Sequence, residues 1–312
     1  MALALALVVS FAIAEIGTRR WRLASPLAPL DERSLVYQFN SRLGWFPVPN
    51  SARFYTGSRR ISIRDNSIGF RDHEYGPKRK PRVVFLGDSF VWGYDVEQNE
   101  RFTDQLQSVL LDWEVMNLGV SGYGTDQEYL LLQDTIDRLR PDIVFLLICS
   151  ENDRDDNSSS FRYEYYKPYF VADHDQLRLA GVPVPKSMRY YQAEHPALFE
   201  LLGRSAILTA LTNVAGRVFL PRPVQVPDPT VAIVQQTRDL AASKQARFLC
   251  GVTDPRPGLE AGLQSRGIAC LDLGTDFRYP SHGNHWTPQG HKWVSGRLLE
   301  FLTPWLEAVR PH

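Results

Sequence analysis

The sequence predicts an α/β fold of three layers, built on a mostly parallel five-stranded sheet. Five apolar runs, at 82–87, 114–118, 142–149, 246–252 and 268–272, have the length and composition of buried strands. The segments between them read as amphipathic helices, the clearest from Asp126 to Leu139. Strands that alternate with helices imply a parallel sheet covered on both faces. Right-handed crossovers then make the arrangement flavodoxin-like.

The chain opens on an apolar stretch. Residues 1–14 carry no charge, Glu15 interrupts, and Arg19, Arg20 and Arg22 come next. As a helix, the stretch to Arg19 spans about 27 Å, against roughly 30 Å for the hydrocarbon core of a bilayer. This predicts a membrane anchor over residues 1–22. A cleaved signal peptide is the rival: Ala12-Ile13-Ala14 fits a small-x-small cleavage pattern, but the positive n-region is absent. The basic cluster taken alone favours a cytoplasmic location for the remainder of the chain. Residues 23–81 form a Pro- and Arg-containing lead-in, whose aromatic and Gly punctuation predicts loops and short strands laid over the core.

The core runs from residue 82 to 312. Its first strand stops abruptly at Gly87-Asp88-Ser89, with Gly93 four residues beyond the serine. A buried strand ending in a small turn presents its last polar side chain at the carboxyl edge of the sheet, where open α/β folds place their chemistry. Ser89 is therefore the leading nucleophile candidate. The second strand ends at Asn117-Leu118 and leads into Gly119-Val120-Ser121-Gly122-Tyr123-Gly124. Thr125-Asp126-Gln127-Glu128 then fits a capping box, and Arg140-Pro141 stops the helix. The third strand ends in Ser150-Glu151-Asn152-Asp153. Residues 154–227 form an insertion too long for a plain connection, with an aromatic run from Phe161 to Phe170. That run either packs the insertion onto the core or offers a carbohydrate-facing platform. Near the end, Thr287 and Pro288 open a last helix with His291 one turn inside.

Composition narrows the functional classes. A hydrophobic content of 44% supports a sizeable core, and 35 basic against 35 acidic residues argue against nucleic acid as partner, which requires a concentrated basic surface. Cys149, Cys250 and Cys270 each sit in or at the end of an apolar run and read as small core residues; their odd count and unpaired spacing offer no disulfide framework. His282, His285 and His291 lack an acidic or cysteine partner at ligand spacing, so no metal and no other cofactor is expected. His174, His195 and His312 have no supporting motif.

The four blocks ending in His285-Trp286-Thr287-Pro288-Gln289-Gly290-His291 resemble, in content and order, the GDSL-type or SGNH hydrolase superfamily across residues 82–297. Asn66-Ser67-Ile68-Gly69-Phe70-Arg71-Asp72 resembles the segment preceding the serine block in a bacterial membrane-associated branch of it. Many family members with this layout are exported, which places the chain on the extracytoplasmic side and opposes the charge indication. The resemblance implies an esterase in which Ser89 is the nucleophile and His285 the general base. It assigns the oxyanion donors to the backbone N–H of Ser89, the backbone N–H of Gly119 and the side-chain amide of Asn152. Gly119, lacking Cβ, would let substrate approach the backbone. One position departs from the family. The aspartate expected two or three residues before His285 is replaced by Gly283 and His282, and the nearest upstream carboxylate is Asp276. A backbone carbonyl orienting the ring ranks ahead of Asp276 as its substitute.

Three functions remain open: hydrolysis of a small-molecule or glycan ester, acyl transfer to a cell-envelope glycan through the same serine, and a catalytically weak binding module.

Overall fold

The computed structural model describes residues 1–309 except 24, 28, 174–175 and 281–282. The first helix, α1 (Ala2–Arg20), has no buried residue. It has a mean hydropathy of 1.7, long and apolar enough to cross a membrane. After a single turn, α2 (Glu32–Leu35), the lead-in folds into two antiparallel hairpins: β1 (Tyr37–Asn40) with β2 (Gly44–Pro47), and β3 (Ala52–Thr56) with β4 (Arg60–Arg64). Along β4 alternate residues, Ile61 and Ile63, are buried, and Trp45 of β2 is wholly buried. Period-two burial is what a strand laid on a core requires.

The sheet strands come next. They are β5 (Arg82–Leu86), then α3 (Ser89–Trp92) and α4 (Phe102–Val109), β6 (Glu114–Asn117), α5 (Thr125–Leu139) and β7 (Ile143–Ile148). The insertion begins with α6 (Asp153–Asn157). It continues through the short pair β8 (Phe161–Arg162) and β9 (Tyr165–Tyr166) and the pair β10 (Tyr169–Asp173) and β11 (Gln176–Ala180). It ends in α7 (Met188–Glu194), α8 (Pro196–Gly203) and α9 (Ala206–Phe219). The core resumes with α10 (Thr230–Ser243), β12 (Arg247–Val252), α11 (Pro257–Gln264), β13 (Cys270–Asp272) and α12 (Pro288–Val309).

All five expected strands form one parallel sheet in the order β13-β12-β7-β5-β6, each strand ending one or two residues short of its apolar run or starting late. Successive residues point to opposite layers. Val84, Leu86, Val144 and Leu146 pack with α5, α10 and α11, while Val83, Phe85, Ile143 and Phe145 pack with α4 and α12. The first strand of the sheet, β5, lies between the second and the third, so the winding reverses beside it. Open α/β folds bind ligands at such a reversal.

Two expectations are corrected. The cap of α5 is Gly124, whose N–H donates to Gln127 Oε1 at 3.3 Å, and not Thr125, whose hydroxyl instead accepts from Asn157 Nδ2 at 2.6 Å. Cys250 and Cys270 form a disulfide instead of packing as free thiols. They are register partners on the adjacent strands β12 and β13, with Cα atoms 4.7 Å apart. Their pairing depends on strand register, which a spacing of 20 residues does not reveal. Cys149 is buried and free.

The aromatic run of the insertion divides. Tyr165 and Phe170 are buried in the core, Tyr166 is buried against Phe161 within the insertion, and Tyr163 lines the cleft at the sheet edge.

Candidate active site

Ser89 starts α3 immediately beyond β5. Asp88 caps that short helix, accepting from the Phe90 N–H at 2.9 Å, and Gly93 ends it at a φ of +84°, a conformation suited to glycine. Burial pushes the Asp88 carboxyl up to about 6, against the opposing bonds from Phe90, Cys149 and Asn152. The turn that follows the helix is gripped by Arg71 of the lead-in. Its buried guanidinium donates to the carbonyls of Gly93 and Val96 at 2.8 Å each and to that of Ser62 at 3.0 Å. Burial, with Arg101 close by, lowers the Arg71 pKa to about 9. Asp72 next to it accepts from the Asn117 N–H at 2.7 Å and pairs with Arg101, tying the strand-end loop of β6 to the same frame. The Asn66–Asp72 segment thus acts as a brace behind Ser89.

His285 lies opposite. Its Nε2 is 2.7 Å from Ser89 Oγ, and both residues are less than a tenth exposed. The loop carrying it is held by the Tyr279 N–H, which donates to the His285 carbonyl at 2.8 Å, and by a bridge between Arg278 and Trp286. Tyr94 stacks on the imidazole, and Phe90 lies 5.2 Å from it. Asp276 is exposed and, among the described residues, makes no hydrogen bond to the ring. His282 lies outside the described residues, as do His174 and His312. His291 is not part of the site. It is buried against Phe102, accepts from the Phe102 N–H at 3.3 Å, and burial lowers its pKa to about 3.

The structure sets the expected oxyanion donors in different places. Asn152, just beyond β7, donates through Nδ2 to the Tyr163 hydroxyl at 3.1 Å, which in turn donates to Asp156. Gly119 departs from the expectation. Its N–H donates to Asn117 Oδ1 at 3.0 Å, and the space a side chain would need is filled by the backbone of Val91 and Trp92. Its missing Cβ admits α3, not substrate. Three residues on, Gly122 lines the cleft with Ser89, at a φ of +78°. Among the described residues, the N–H groups of Ser89 and Gly122 have no acceptor. No sequence signal separates Gly122 from Gly119 and Gly124 in that loop; contact with the backbone of α3 is what singles out Gly119.

These groups open on a cavity of about 370 Å³, lined by Ser89, Gly122, Asn152 and His285 and by Arg33 and Tyr163. Among the described residues no group of acids, histidines or cysteines could hold a metal ion.

A family model of GDSL-like lipases and acylhydrolases matches residues 85–293, about two thirds of the chain. No curated protein matches it. Solved structures similar to it include a lipolytic protein of the G-D-S-L family from Veillonella parvula, at 12% identity and a TM-score of 0.40, covering 71% of this chain and 98% of that one. A GDSL-like lipase from Bacteroides thetaiotaomicron is 11% identical with a TM-score of 0.41, covering 75% and 93%. A family 3 carbohydrate esterase from Clostridium thermocellum is 12% identical with a TM-score of 0.38, covering 75% and 100%. The assignment rests on the family match and on the four blocks it spans: the chain belongs to the GDSL-like lipase/acylhydrolase family and is an ester hydrolase.

Proposed function

We propose that Ser89 attacks the carbonyl of a carboxylic ester and that His285 takes its proton. The observation that carries this reading is the 2.7 Å approach of His285 Nε2 to Ser89 Oγ inside the cleft. A serine hydroxyl becomes a competent nucleophile only when a positioned base removes its proton. For Nε2 to accept, the ring proton must sit on Nδ1, the state a backbone carbonyl acceptor would favour. The proton then passes from Nε2 to the leaving alcohol, leaving an acyl-enzyme that water attacks with the same base. The oxyanion is held by the N–H of Ser89, the amide of Asn152 and the N–H of Gly122, which takes the place first expected for Gly119. A donor set already aimed at the developing charge contributes about 10²–10³ per member.

The substrate on this reading is an ester of the cell envelope, glycan or lipid, met on the extracytoplasmic side by a chain that α1 anchors. The Cys250–Cys270 disulfide supports that side, because such bonds persist in oxidising compartments. The seating of α1 supports an anchor that is kept. Glu15 accepts from Ser205 Oγ and the Ala206 N–H, each at 2.8 Å, which joins the helix to α9 as a lasting part would be joined.

The test is covalent labelling. A fluorophosphonate probe should mark Ser89, mapped by peptide mass spectrometry, and Ser89→Ala should lose turnover of a chromogenic acetyl ester. Labelling at another residue sinks the assignment. Adding a glycan acceptor separates the alternative: acetylated acceptor in place of free acetate identifies an acyltransferase. A chain that turns over nothing is the binding module.

A further inference from the structure

The insertion ends in an apolar helix pair that adds little to the core. Residues 196–219 hold three charged side chains, Glu200, Arg204 and Arg217. Among the described residues, α8 buries only Phe199 and α9 only Thr209. Leu211, Val214 and Val218 stand exposed a turn apart on one face of α9, and Leu198 and Leu201 do the same on α8. Exposed apolar side chains are ordinary when scattered, but a contiguous face of them marks an interaction surface.

Two joints place that face. Glu15 of α1 accepts from the N–H groups of Ala206 and Ile207 at 2.8 and 3.1 Å, and Arg19 Nη2 donates to the Arg204 carbonyl at 2.6 Å. Further on, Asn213 Nδ2 donates to the Ser25 carbonyl at 2.9 Å, so the chain leaving α1 is laid on α9 as well. The helix pair thus begins where α1 passes from uncharged residues to Glu15 and the arginines. In a helix that enters a bilayer, that passage marks the polar boundary.

Charge singles out the occupant. Residues 1–23 and 196–223 together carry six arginines and two acids. Both acids are paired, Glu15 with Arg19 and Glu200 with Arg204, each at 2.6 Å. Arg20, Arg22, Arg217 and Arg222 are exposed, in a chain whose formal net charge is zero. An apolar helix face flanked by arginines fits an anionic lipid surface. A second copy of the chain would set these arginines against their own kind.

We infer that α8 and α9 lie in the boundary of the bilayer that α1 enters, with Leu211, Val214 and Val218 among acyl chains and the arginines at anionic headgroups. The inference rests on the reading of α1 as a retained anchor. One support spans the membrane and the other lies in its plane, so the hydrolase domain is held in one orientation and does not swing on a tether.

Depth measurement on the full chain tests this, in vesicles of phosphatidylcholine and phosphatidylglycerol. Leu211→Cys, Val214→Cys and Val218→Cys are each labelled with the polarity-sensitive dye NBD, and the unsubstituted chain gives the background. Leu7→Cys reports on α1, and Leu111→Cys, exposed in the loop before β6, is the water-exposed reference. The three α9 labels and Leu7 should emit to the blue of Leu111 and be quenched by doxyl-labelled lipid. Water-like emission along α9 with Leu7 quenched overturns the inference and leaves the anchor in place. Water-like emission at Leu7 too removes both. Quenching along α9 with a water-like Leu7 keeps the lipid-facing surface and removes the anchor. Blue-shifted emission that doxyl lipid leaves unquenched means protein covers the face, as in a dimer, and overturns the inference. In phosphatidylcholine alone, quenching along α9 should fall while that at Leu7 holds; equal quenching in both lipids overturns the role given to the arginines.

Discussion

The phenol ring of Tyr94 lies against the imidazole of His285, with centroids 4.3 Å apart and planes at 21°. Tyr94 is itself held by the Tyr55 hydroxyl at 2.9 Å, from the β3–β4 hairpin. A stacked ring fixes the plane of an imidazole, one of the two services that an orienting carboxylate performs; the other is stabilising the charged form. Tyr94→Leu is therefore expected to lower kcat by up to about tenfold, the free energy of a well-packed aromatic pair. Unchanged kcat in that variant means the loop alone orients the ring.

The absent aspartate makes a second expectation. Asp276→Asn should keep most activity, since Asp276 is exposed and makes no bond to the ring among the described residues. His285→Ala should lose about 10⁴ or more in kcat. Comparable losses in the two variants restore a triad with a displaced acid.

Asn152 is expected to act mainly in the transition state. Asn152→Ala should reduce kcat by about 10²–10³ with KM little altered. A large rise in KM with kcat preserved makes it a binding residue. Its bond to Tyr163 predicts that Tyr163→Phe gives a smaller loss of the same kind.

Glu128 yields a pH-dependent stability. Both of its carboxyl oxygens are buried without a partner among the described residues, and burial, with Asp88, Asp126 and Asp156 near, pushes its pKa well up. A raised acid is neutral in the fold, so its contribution is intact below the unfolded value of about 4.3 and is lost as pH rises toward the folded value. Glu128→Gln removes that loss. Its Tm should exceed the wild type's at pH 8 and approach it at pH 4; parallel pH curves for the two proteins contradict the assignment.

The disulfide closes a loop of about 20 residues, for which chain entropy gives roughly 3 kcal/mol. Replacing both Cys250 and Cys270 by serine should lower unfolding free energy in urea by about that amount, and dithiothreitol should have the same effect on the wild type. Equal stability with and without reductant shows the bond to be dispensable.

The sheet was legible in the chain because it depends on local pattern. Five apolar runs of strand length marked its strands, and Ser89 and His285 stand at the ends of motifs that chemistry requires. What was not legible depends on distant contact. Gly119 and Gly122 are indistinguishable by type, and α3, packed on one of them, separates their roles. Arg33 and Tyr94 carry no motif, since their place in the cleft is set by hairpins and turns whose docking no periodicity encodes. Arg71 lay within a recognised segment, yet its grip on the carbonyls after Ser89 required the folded backbone.

The sheet ends on both sides in strands of minimal length, four residues in β6 and three in β13. An open edge is a template on which another chain can add a strand, and longer, flatter edges invite fibrillar association. Here the shorter edge strand is also bonded covalently to its inner neighbour through Cys270. That bond keeps β13 from peeling away and exposing the six-residue β12 behind it. The cross-link is thus a safeguard against strand addition by another chain and the aggregation that follows from it.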